Sequence, residues 1–139
     1  MKNIFTFLII TLSLTSNAQD IIGLWKTFDD KTKEKKSVIE IYKEDDLYFA
    51  KITEIFSGDK NAICNTCNGI KKGQPIIGLV IIENLKKDKN EFNEGSILDP
   101  ENGKTYSCYL KLIKNNKLKV RGFLGISIFG RTQYWIRKE

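Results

Sequence analysis

Tyr106-Ser107-Cys108-Tyr109-Leu110-Lys111-Leu112 and, four residues further on, Lys117-Leu118-Lys119-Val120-Arg121-Gly122-Phe123-Leu124 decide the fold of this chain. Tyr106, Cys108, Leu110 and Leu112 alternate with Thr105, Ser107, Tyr109 and Lys111, and Leu118, Val120, Gly122 and Leu124 alternate with Lys117, Lys119, Arg121 and Phe123. A period of two puts successive side chains on opposite faces of a strand, so each segment has one dry face and one wet face. A two-residue Asn115-Asn116 turn would set Leu112 against Lys119 and Leu110 against Arg121, mixing apolar and charged side chains on one face. A three-residue loop over 114–116 instead pairs Leu112 with Leu118, Leu110 with Val120 and Cys108 with Gly122, with Asn116 taking the left-handed position such loops use. That register is the expected one.

Working outward, segments rich in β-branched and aromatic residues recur over 21–27, 37–42, 46–56, 76–84, 91–98, 104–113, 117–124 and 127–137. Turn residues separate them, and no amphipathic helix of useful length intervenes, so the chain reads as one all-β domain of eight antiparallel strands. Asp99-Pro100-Glu101-Asn102-Gly103 is a sharp turn: proline presets one dihedral, Asn-Gly tolerates positive φ, and Asp99 bonds its own backbone rather than serving as a catalytic acid. Residues 57–75 form a long connection with three glycines, a proline and two cysteines, the kind of loop that is either functional or pinned.

The first eighteen residues stand apart. Lys2, an apolar stretch from Ile4 to Leu14 and small residues at Ser16 and Ala18 read as a secretory signal peptide cleaved after Ala18, too short to span a bilayer. The mature domain, 19–139, is therefore expected to be secreted or periplasmic and not transmembrane, in a compartment that permits disulfides. The chain has no histidine, which removes serine–histidine triads and histidine metal sites; acid/base chemistry on carboxylates, Tyr, Lys or Cys stays open, but no catalytic residue, metal or cofactor is singled out. The net charge of +6 is spread over lysines beside turn residues and acids, which reads as solubility and edge protection. No basic run interleaved with aromatics is present, which argues against nucleic acid as a partner.

Cys64-Asn65-Thr66-Cys67 reads as a local disulfide fixing the tip of the long loop. Zinc would need four ligands and a redox pair a helix N-terminus, and neither is offered here. Cys108, on the dry face of its strand, is either a buried thiol or the partner of one of the other two. In the tail, Arg131, Gln133, Trp135 and Arg137 share one strand face. That face is either a polar rim for a ligand or the outside of the wall, with the arginines satisfying Asp29, Asp30 or Asp99; the second is the expectation. With Trp25 and Arg121, these four complete the candidate ligand-contacting set. Gly23-Leu24-Trp25 on the first strand, with an arginine from the last able to lie over the indole ring, resembles the signature of lipocalin-type barrels, in which the pair closes one end.

Seven blocks together carry a family resemblance: Gly23-x-Trp25; Asp30-Lys31-Thr32; Cys64-x-x-Cys67-x-Gly69; Gly78-Leu79; Gly95-x-Ile97-x-Asp99-Pro100-x-Asn102-Gly103-Lys104-x-Tyr106; Leu118-x-Val120-Arg121-Gly122-Phe123; and Phe129-Gly130-Arg131-Thr132-Gln133-x-Trp135-x-Arg137. They resemble the exported bacterial proteins catalogued as domain of unknown function 2147. The resemblance implies a small secreted single-domain protein and supplies no catalytic residues. The barrel is read from the strands themselves: a calycin-type wall of eight strands with small inward residues at Ala50, Cys108, Gly122 and Gly130 that would leave room for one small ligand. The function expected is a binding module for a small apolar or amphiphilic envelope molecule. The alternatives are an envelope interaction protein with a solid interior and an exposed apolar patch around Phe129 and Trp135, or an enzyme using the thiol pair or Asp99 with Arg121 and Arg131.

Overall fold

Alternation alone makes strands; what makes a barrel is that the last strand can reach the first. In the computed structural model, which describes residues 20–139 and so leaves the leader read over 1–18 outside them, it does. The strands are β1 (Gly23–Phe28), β2 (Lys35–Glu44), β3 (Leu47–Ile55), β4 (Val80–Asp88), β5 (Glu91–Asp99), β6 (Lys104–Lys114), β7 (Lys117–Phe123) and β8 (Gly130–Arg137). Each pairs antiparallel with the next, and β8 returns to β1, closing the sheet. The inward face is apolar, with Trp25, Ile39, Ile41, Tyr48, Ile82, Leu85, Phe92, Leu110 and Leu118 all in one buried cluster. Lys26, Glu40, Lys51, Lys111 and Lys119 alternate to the outside. This is the reverse of a lipid-facing barrel, whose outer band is apolar.

The expected β6–β7 register is present, with Cys108 opposite Gly122, Leu110 opposite Val120 and Leu112 opposite Leu118. The odd residue lies elsewhere than expected. Lys114 pairs with Lys117 across a two-residue Asn115-Asn116 turn, the register shift falls between Leu112 and Lys114, and Asn116 keeps a negative φ. A bulge at Ile113 thus does what the longer loop was expected to do, because both leucines must face inward and one residue has to be absorbed. β4 and β8 start four and three residues later than expected, the largest departures among the strand starts. Residues 76–79 precede β4, with Gly78 at φ 96° and its N–H on the Ile52 carbonyl, and 127–129 belong to the loop before β8.

The two ends of the barrel differ. At one end, β2–β3, β4–β5 and β6–β7 are joined by two-residue turns, and the chain segment before β1 lies across the opening, with Ile21 fully buried. Trp25 Nε1 donates to the Ile21 carbonyl at 2.8 Å. The Arg137 guanidinium sits 4.3 Å from the centroid of the Trp25 ring and donates to the carbonyls of Asp20 (2.9 Å), Ile22 (3.2 Å) and Asn115 (2.9 Å). Gly23 has φ 135°, and a Cβ there would press on Arg137 Nη1 at 3.3 Å. This end is shut.

Cys64 and Cys67 form the expected disulfide, with Cα atoms 5.4 Å apart, which leaves Cys108 as a free buried thiol. The bridge is not at an exposed tip, since both sulfurs are buried in the core cluster. It shapes a knuckle that seats against the β5–β6 turn: Thr66 Oγ1 donates to the Pro100 carbonyl at 2.7 Å. At Gly103, φ 73°, a Cβ would fall 1.9 Å from the Thr66 carbonyl oxygen, so only glycine lets the two loops meet.

Replacing Arg137 with Ala removes a cation–π contact and three charge-assisted hydrogen bonds. We expect a loss of about 2–4 kcal/mol in urea unfolding, of which Arg137→Lys recovers less than half because an ammonium cannot reproduce the planar fork. Burial pushes the Cys108 thiol up to about 12 from 9.0. In the unfolded chain the thiol ionises near 9.0, so the stability its burial contributes is complete below that pH and is lost as pH rises towards about 12. Between those limits the parent should lose stability faster than Cys108→Ala by roughly 1.4 kcal/mol per pH unit.

Candidate functional site

The other end of the barrel carries the longer connections, and there the interior is hollow. A cavity of about 660 Å³ opens between the β1–β2 turn, the 56–79 loop, the β5–β6 turn and the 124–129 loop. Its wall is built from inward positions of the strands, among them Ile39, Ile52, Ile81, Val120 and Trp135, completed by Ile76 from the long loop. Gly122 supplies no side chain, and a Cβ there would lie 3.3 Å from Ile97 Cγ2. The polar groups in the wall are already partnered: the Thr27 and Ser37 hydroxyls share a 2.6 Å hydrogen bond, and Trp135 Nε1 donates to Gln133 Oε1. Among the described residues no buried side-chain nitrogen or oxygen lacks a partner. Such a wall offers contact to apolar matter and asks for no hydrogen bonds.

Charge is confined to the mouth. Lys36 of β2 is ion-paired with Glu101 of the β5–β6 turn, so the pair spans the opening. Beside it, Asp30 bonds both Arg131 Nε (3.0 Å) and Gln133 Nε2 (3.4 Å). That contact lies where the seam is incomplete, since β1 and β8 pair only at Trp25–Arg137 and Lys26–Ile136. Towards the mouth the two strands separate, and the Asp30 carboxylate bridges them. Asp29 shapes the same turn by accepting from the Lys31 and Thr32 N–H groups at 2.8 Å each, which lowers its pKa.

The candidate residues thus divide. Arg131, Gln133 and Trp135 line the cavity, so the tail face expected on the outside of the wall points inward, although the expected pairing of an arginine with Asp30 is present. Trp25 and Arg137 lie at the shut end. Arg121 points out of the wall and holds the 124–129 loop, donating to Ser127 O at 2.8 Å and 2.6 Å and to Thr132 Oγ1 at 2.7 Å. Asp99 Oδ1 accepts from the Glu101 N–H, so Asp99, Arg121 and Arg131 do not converge on one polar site. Of the small residues, Ala50 and Cys108 are packed in the core, Gly122 lines the cavity and Gly130 stands at its exposed edge. The interior is not solid, and Trp135, expected in an exposed patch, is buried while Phe129 is exposed. Lys36 and Glu101 were not singled out from the sequence, where only their proximity, set by the fold, would have marked them. Among the described residues no cluster of histidine, cysteine or carboxylate side chains could hold a metal ion, and no helix is long and apolar enough to cross a membrane.

An eight-stranded antiparallel barrel, shut at one end by an arginine on a tryptophan and hollow at the other, is lipocalin-like in architecture. The chain belongs to the family of uncharacterized proteins conserved in bacteria known as domain of unknown function 2147, whose profile matches residues 23–137. Among solved structures it is similar to protein HP1028 from the human pathogen Helicobacter pylori, described as belonging to the lipocalin family. The two superpose with a TM-score of 0.77 over 86% of this chain and 84% of that one, at 20% identity. No curated protein matches the chain.

The disulfide holds the loop that brings Ala62 and Ile76 to the cavity. Replacing both cysteines with alanine should cost about 2 kcal/mol from the freed chain, because only a four-residue loop is closed. Urea unfolding of the variant, compared with the parent under reducing and oxidising conditions, measures this.

Proposed function

We propose that this protein is an exported carrier that holds one small apolar or amphiphilic molecule of the cell envelope, its apolar part in the cavity and its polar end at the mouth. The observation that carries this reading is the open-ended cavity of about 660 Å³ with an apolar wall. That volume falls within the range of about 300–1,000 Å³ typical of small-molecule sites. Lys36, Glu101, Arg131 and Gln133 stand where the polar end would emerge. Both ion pairs there are solvent-exposed, and such pairs are worth only about 0–1 kcal/mol, so an entering head group can displace them. The lipocalin-like architecture supports the reading as well, since barrels of this size enclose one small ligand. Export is supported by the apolar leader over residues 4–14 and by a disulfide of the kind an oxidising compartment maintains.

Native mass spectrometry of protein purified from its own envelope should show one additional mass that is lost on denaturation. A fluorescent polyene fatty acid should bind saturably at one site per chain. Gly122→Leu, which places a side chain into the cavity, should weaken that binding roughly tenfold. Ile70→Ser, at an exposed position that does not line the cavity, should leave it unchanged. No adduct together with no saturable binding would overturn the proposal.

A further inference from the structure

The loop between β7 and β8, Leu124-Gly125-Ile126-Ser127-Ile128-Phe129, carries no charge and exposes four large apolar side chains, each between 61% and 71% accessible. This exposure is enforced. Arg121, on the outer face of β7, binds the backbone carbonyls of Ser127 and Ile128, and the loop closes on itself through Leu124 N–H to Phe129 O and Phe129 N–H to Ile126 O. The tip of the loop, with Ile126 and Ile128, is therefore held away from the cavity instead of collapsing into it. We propose that this loop inserts into the acyl layer of a lipid membrane bearing anionic headgroups, docking the barrel mouth-first.

Three features of the structure favour that occupant. The four side chains form an uncharged apolar projection, and insertion into lipid needs no complementary partner surface. Leu124 and Phe129 also line the cavity, so its apolar wall continues without a break onto the loop tip. The adjoining β1–β2 turn, tied to β8 through Asp30 and Arg131, bears Lys31 and Lys33, and Lys35 opens β2 beside them; none of the three makes an ion pair among the described residues. Of its acids, Asp29 and Asp30 are engaged within the protein and Glu34 is exposed, so the lysines outnumber the one carboxylate left facing solvent. These lysines stand where the headgroups would lie. The docking is read from the loop and the lysines beside it; only its purpose, exchange of an amphiphile between membrane and barrel, rests on the carrier proposal.

Trp25 and Trp135 are both buried, so a tryptophan placed at Ile126 reports on the loop. With vesicles of phosphatidylglycerol and phosphatidylcholine, Ile126→Trp should show a blue-shifted emission, and the parent protein should float with the vesicles. Ile126→Asp/Ile128→Asp should lower vesicle binding by more than roughly tenfold. Neither position lines the cavity, so that variant should bind the polyene fatty acid like the parent. Raising the salt concentration, or omitting phosphatidylglycerol, should also reduce binding. The docking is overturned if the emission of the Ile126→Trp variant does not move, if the protein stays out of the floating fraction, or if light scattering shows a dimer that the double variant abolishes. Failure of fatty-acid binding with vesicle binding intact would overturn the carrier proposal and leave the docking standing.

Discussion

Everything at the open end depends on one interaction at the shut one, the Arg137 guanidinium laid on the indole of Trp25. β1 and β8 share only two residue pairs, too few ladder bonds to hold a closed sheet by themselves. Arg137 makes up the difference by joining the last strand to the first through the ring and to the chain before β1 through two carbonyls. A guanidinium suits this position because one planar group can stack on an aromatic face while its edge donates in several directions. With Ile21 drawn beneath Trp25, the end is sealed by the protein's own chain, and the seam is free to part nearer the mouth.

The asymmetry of the barrel follows from where chain length is spent. Antiparallel neighbours need only two residues to reverse, and three of the seven connections use no more. The remaining four all fall at the other end, where the long one is shortened in effect by the disulfide and by its seat on the β5–β6 turn. A loop so fixed can present Ile76 as a wall residue rather than sample solvent. The cavity exists because the rim is held apart by these loops while small side chains at the rim, Gly122 above all, fail to fill the space between them.

Much of this was legible in the chain. Strand pairing could be read wherever a wrong register would have buried a charge, as at Leu112 and Leu118, because the penalty is local and period-two alternation displays it. The route by which the register is kept could not be read: a longer turn and a bulge at Ile113 serve the same pairing. The closing pair was legible because Gly-x-Trp and a terminal arginine are specific residue types with a geometric job. The tail strand shows the limit. Alternation places Arg131, Gln133, Trp135 and Arg137 on one face, and two arginines and a glutamine argue for the outside, but closure of the barrel turns Arg131, Gln133 and Trp135 towards the cavity. Trp135 has to be inside for Leu118, its neighbour on β7, to be inside too. Lys36 and Glu101, sixty-five positions apart, meet because β2 and the β5–β6 turn face each other across the mouth, and no local pattern encodes that.

The distribution of polarity at the mouth bears on what can pass it. An opening ringed by unpaired cations would select an anion and hold it; one ringed by apolar side chains alone would invite aggregation. Here Lys36 with Glu101 and Arg131 with Asp30 leave little net charge over the entrance, and each pair is exposed enough that water can take the place of either partner at small cost. The wall beneath already has its hydrogen bonds satisfied. In the carrier proposed above, discrimination would come chiefly from volume and from apolar contact, with the ion pairs a weak cross-brace that a polar end group would displace. A barrel built this way is suited to accept a class of related molecules, because nothing in its lining demands a particular pattern of donors and acceptors.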